Sequence, residues 1–87
     1  MSSPRERQLA EGIKNKLIAI QKSEQIYKGL SKWEKRTMSL DEKEIESVST
    51  KIAEKVEKYA KIVEKKTGHQ PTPAQIMAKI QGEIRKI

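Results

Sequence analysis

The stretch IESVSTKIAEKVEKYAKIV, Ile45 to Val63, decides the fold. Its apolar residues Ile45, Val48, Ile52, Val56, Tyr59 and Val63 step by 3, 4, 4, 3 and 4 positions. A helix gathers such a series onto one narrow stripe, whereas the two-residue period of a strand would divide it between both faces. Glu54 stands four residues before Lys58, and Glu57 four before Lys61. That is the better orientation for such pairs, each adding about 0.2–0.5 kcal/mol to a helix. The stretch therefore reads as a long amphipathic helix with a coiled-coil-like seam, which needs partner helices to cover it.

Capping signals bound this helix and define its neighbours. A Ser or Thr oxygen can accept from a free first-turn N–H while a Glu or Gln three residues on reaches back. Ser3-Pro4-Arg5-Glu6, Ser39-Leu40-Asp41-Glu42 and Thr72-Pro73-Ala74-Gln75 all fit that pattern. In the first and third, Pro occupies the first helical position, where its missing N–H costs nothing. Gly68 is placed to end the middle helix in the left-handed conformation, and Pro71 and Pro73 prevent continuation. These signals predict an all-α fold, a small three-helix bundle with helices near 4–37, 40–67 and 73–86 in a single domain spanning 1–87. In the last helix Ile76, Ile80, Ile84 and Met77 are expected to be buried, while Ala74, Ala78 and Gly82 form a small-residue row that permits a close helix contact.

The first helix is less regular. Leu9, Ile13, Leu17, Ile20 and Tyr27 share a face, but Ile18, Ile26 and Trp33 fall well round the cylinder. The primary reading is one helix, continuous or kinked, because a single interior Gly costs only about 1 kcal/mol. The alternative is a break at Gly29, with Ser31-Lys32-Trp33-Glu34 as a fourth capping box starting a fourth helix.

Charge is the strong compositional signal. The 87 residues hold 19 Lys+Arg against 12 Asp+Glu, a formal net charge of +7. Residues 1–37 carry nine basic and four acidic side chains, and 38–68 carry seven of each. A polyanion or an acidic protein surface is the expected kind of partner. Arg7, Lys14, Lys22, Lys28, Lys32, Lys35 and Arg36 fall within a broad arc of the first helix and are the candidate nucleic-acid contacts. Trp33 and Tyr27 read first as core residues, and second as stacking surface beside those lysines. A Lys-rich outer face is also what an ordinary solvated helix presents.

Other chemistry is not expected. The chain has no Cys, so neither a disulfide framework nor a thiolate metal cluster can form. The longest apolar run, Leu17 to Ile20, is four residues against the roughly 20 of a membrane span, and a cytoplasmic protein is expected. His69 is the single histidine and lies in the Gly68–Pro71 loop without a neighbouring carboxylate cluster, so it is read as neither metal ligand nor general base. Asp41, Glu42, Glu44 and Glu46 sit where negative charge complements a helix N-terminus. There is no phosphate-binding glycine loop, nucleophile elbow or Cys–His pair. No catalytic residue, cofactor, metal or small-molecule substrate is expected.

The segment PTPAQIMAKI, with Pro71, Thr72, Pro73, Ile76 and Gly82 at the recurring positions, resembles the opening helix of a helix-turn-helix in bacterial sigma factors. The resemblance covers less than a quarter of the chain and departs after Gly82, where EIRKI is too short to supply a recognition helix. No DNA contacts carry over from it. Two functions follow from the residues: a non-enzymatic helical factor that binds DNA or RNA mainly through the phosphate backbone, or an assembly module. In the second, Ile18, Ile26 and Trp33 dock a partner helix or a second copy in a homodimer.

Overall fold

The computed structural model describes residues 4–23 and 30–87. Among the described residues four helices form, α1 (Pro4–Lys22), α2 (Lys32–Met38), α3 (Glu42–Thr67) and α4 (Pro73–Ile84), and there is no strand. The fold is all-α, as the periodicity predicts. The expected helix over 4–37 is two helices: Ser23, Leu30 and Ser31 lie outside both, and α2 begins at the fourth capping box. There the Glu34 carboxylate accepts from the Ser31 N–H at 3.1 Å and from its hydroxyl at 2.9 Å. The proposed break at Gly29 and the cap at Ser3 lie outside the described residues.

Two other expectations change in detail. The N-cap of α3 is Asp41 rather than Ser39: its Oδ1 accepts from the Glu44 N–H at 2.8 Å, and Glu44 Oε1 accepts from the Asp41 N–H at 3.1 Å. Aspartate serves as well as serine here because its carboxylate also meets the positive end of the helix dipole. Ser39 closes α2 instead, donating its hydroxyl to the Arg36 carbonyl. The cap at Thr72 forms as predicted, and Gly68 ends α3 at φ 76°, in the left-handed region where a Cβ is strained.

The seam on α3 is broader than its apolar stripe. Ile45, Ile52 and Val56 are buried, while Val48, Tyr59 and Val63 are half-buried. A second buried row consists of Ser49, Ala53, Glu57 and Ala60, three or four residues apart on the adjoining face. Glu57 of that row and Glu46 beside it reach side chains of α1; Lys55 and Tyr59 on the other flank reach side chains of α4. The small residues therefore form the α1 side, where they allow α1 to approach closely. Ile13 and Leu17 of α1 and Ile80 and Ile84 of α4 complete the core. Met77 is not buried but 52% exposed. Ala74, Ala78 and Gly82 are exposed too, and a Cβ at Gly82 would meet nothing within 4 Å. The small-residue row of α4 thus faces away from the bundle, because Ile80, Glu83 and Ile84 define the side it packs with.

Candidate nucleic-acid interface

Three contacts gather one end of the molecule. The Gln21 side-chain amide, near the end of α1, donates to the Thr37 and Leu40 carbonyls, both at 2.9 Å. Both carbonyls lie at or just beyond the end of α2, and the Thr37 oxygen also accepts from the Leu40 N–H at 3.3 Å. Trp33, on the inner side of α2, packs against the core with Leu40 and Ile87, and Thr37 is fully buried with its hydroxyl donated back to the Trp33 carbonyl. Arg36 Nη1 donates to the Ile87 main-chain oxygen at 2.7 Å. That bond carries the turn after α4, with Arg85 and Lys86, alongside α2.

With Trp33 and Thr37 turned inward, helical geometry puts Lys32, Lys35 and Arg36 together on the outer face of α2. All three are exposed, as are Arg85 and Lys86. Lys22, exposed at the end of α1, neighbours Gln21 and so stands at the same end. The acids nearby are mostly committed. Glu34 is tied to Ser31, and Glu83 is buried, 3.7 Å from Lys86 and 3.8 Å from Lys55. The first turn of α3, with Asp41, Glu42 and Glu44, borders this basic end and confines it to the α2 side.

The other sequence-predicted contacts lie elsewhere. Arg7 and Lys14 line an open groove of about 820 Å³ between α1 and α3, shared with Lys43, Lys51, Glu11, Glu46 and Glu54. Its lining mixes both signs, and Lys14 is 3.4 Å from Glu46. Because α1 and α2 are separate helices, the seven predicted basic residues do not share one arc. Lys22, Lys32, Lys35 and Arg36 come together, Arg7 and Lys14 fall on the groove, and Lys28 lies outside the described residues. Of the predicted partner-docking residues, Ile18 and Trp33 are half-buried and packed against the core; Ile26, like Tyr27, lies outside the described residues.

Arg5 shows what happens to a cation that is not free. Its guanidinium grips Glu57 through Nε at 2.8 Å and Nη2 at 3.0 Å, and Glu64 through Nη1 at 2.9 Å. Hydrogen bonding from Arg5, opposed by burial, holds the Glu57 carboxyl below its ordinary range, and the Arg5 pKa is raised by the same bonds. Sequence reasoning placed Glu57 on the helix surface beside Lys61, and nothing in local spacing links it to a residue 52 positions earlier. Arg85 and Lys86 were also missed as members of the basic end, since only the Arg36–Ile87 contact reveals them.

Among the described residues no group of three or more acidic or histidine side chains is placed to hold a metal ion, and no helix is long and apolar enough to cross a membrane. In comparison with known proteins, the chain matches no family model, no curated protein and no solved structure.

Proposed function

We propose that the protein is a small nucleic-acid-binding factor that docks its α2 end on the phosphate backbone. One observation carries the reading: Lys32, Lys35 and Arg36 form an exposed basic face, and the Arg36–Ile87 bond adds Arg85 and Lys86 to it. Phosphate contacts of this kind fix position without reading sequence, so binding is weakly specific. The cations are held by packed elements, which reduces the ordering cost of association. The test is the double substitution Lys32→Glu with Lys35→Glu, which leaves the bond from Arg36 intact. Affinity for a short mixed-sequence duplex should fall at least about tenfold, with the helical circular-dichroism signal unchanged. Retained binding in that variant would refute the reading.

A second reading, an assembly module, is favoured by a different surface from the one the sequence suggested. Ile62 of α3 and Met77 of α4 are 53% and 52% exposed, and Ala74, Gln75, Ala78 and Gly82 of α4 are exposed without charge. On this reading the protein self-associates at micromolar concentration, and Met77→Asp restores a monomer in sedimentation equilibrium.

A further inference from the structure

Residues 38–68 are neutral by count, yet their charges are sorted along the chain. Four of the seven acids lie within 41–46, and six of the seven lysines within 51–66. Packing then sorts the charges of that second part around the helix. Glu57 and Glu64 are turned toward α1, where Arg5 binds both, and Glu54 lines the α1–α3 groove. Lys55, Lys58, Ile62, Lys65 and Lys66 step by 3, 4, 3 and 1 positions, which sets them along one side of α3, and all five are exposed. Lys58, Lys65 and Lys66 make no ion pair among the described residues.

We infer that this lysine row continues the basic end into one longer surface for a phosphate backbone, an inference that rests on the phosphate-docking reading above. Two contacts join the parts. Glu83 of α4 lies 3.8 Å from the Lys55 ammonium and 3.7 Å from that of Lys86, so both cations flank one buried carboxylate, with most of each lysine side chain exposed. Lys86 precedes Ile87, whose main-chain oxygen accepts from Arg36 at 2.7 Å. The basic surface therefore passes from α2, through the turn after α4, to Lys55 and on along α3.

Between Lys55 and Lys66 the helix rises about 16 Å, a length over which a DNA duplex presents about nine phosphates. A short nucleic acid fills the α2 end alone, and a longer one reaches the row. Ile62, the apolar member of the row, would gain from a lipid surface and not from phosphates. Anionic vesicles are therefore the competing ligand to test.

The experiment compares the full chain with Lys58→Gln plus Lys65→Gln, and with a charge-matched control, Arg7→Gln plus Lys43→Gln, whose residues line the α1–α3 groove. Anisotropy of a labelled DNA duplex of about 30 base pairs is followed from about 50 to 200 mM salt, beside sedimentation with phosphatidylserine vesicles. Losing two phosphate contacts should weaken duplex binding at least about fivefold and flatten the slope of log K against log salt by about 2, while the control stays within about twofold of the parent. Exposed Lys→Gln changes keep the helix propensity, so circular dichroism should be unchanged. An unaltered slope in the row variant, or an equal loss in the control, would overturn the longer surface and leave the α2 end as the docking site. Loss of vesicle binding with duplex binding intact would likewise overturn it and assign the row to lipid. Failure of the parent to bind the duplex would overturn both readings.

Discussion

The α1–α3 seam and the α2 end use charge in opposite ways. Along the seam, Arg5 is spent on Glu57, which is almost fully buried, and on Glu64, which is about a third exposed. At the α2 end, Lys32 and Lys35 have no ion-pair partner among the described residues, and the side of the helix turned to the core carries half-buried Trp33 and buried Thr37. A formal net charge of +7 counts both kinds of cation alike. The structure separates charge that holds helices together from charge that remains available to a ligand.

Breaking the seam should have the largest effect. Leu17 is fully buried at its centre, so Leu17→Ala removes apolar contact and leaves a cavity, costing about 2–5 kcal/mol in chemical denaturation. In a chain of this size that is a large share of total stability. A cost below about 1 kcal/mol would show that the α1–α3 packing is not what the fold rests on.

The ion pair within the seam comes next. Glu57→Gln keeps the shape of the side chain but removes its charge, and should cost about 1–3 kcal/mol. The lower part of that range is favoured because the Arg5 side chain is 37% exposed and water can screen it. The pH dependence has a fixed sign. Glu57 is held below its ordinary value of 4.5 in the folded chain, so the unfolded chain binds more protons as pH falls through that region. Stability from the pair is complete above about pH 4.5 and is lost as pH drops through the folded value. Urea midpoints measured across acid pH should therefore slope less steeply for Glu57→Gln than for the parent. Parallel curves would remove Glu57 from the acid response.

Smaller effects sharpen the other side of the comparison. Gln21→Ala removes the side-chain donor shared by the Thr37 and Leu40 carbonyls, of which Thr37 keeps the Leu40 N–H, and should cost about 1 kcal/mol; its distinguishing sign is faster amide exchange in Lys32–Met38 than in α3. Smallest of all for stability is Lys32→Glu with Lys35→Glu, within about 0.5 kcal/mol, as expected of exposed residues without an ion-pair partner among the described residues. A large stability loss there would mean that the α2 face is structural rather than available.

What could be read from the sequence follows this division. The α3 helix, the Thr72 cap and the Gly68 stop rest on interactions within four residues, and local spacing specifies them. Splitting α1 from α2 required weighing the Ser31–Glu34 box against the small cost of one glycine, and the sequence offered both outcomes. Glu57 looked like a surface residue because its burial depends on α1 lying over it, a contact between distant segments. Arg85 and Lys86 belong to the basic end only through a bond from Arg36 to Ile87, and no pattern in either segment announces it.

The most direct test is a titration of the full-length, isotope-labelled chain with a short DNA duplex, followed by amide chemical shifts. The largest changes should fall on Lys32–Thr37 and on Arg85–Ile87, with Arg5, Glu57 and Glu64 unmoved. Changes centred on Arg7, Lys14, Lys43 and Lys51, or no changes at low salt, would contradict it.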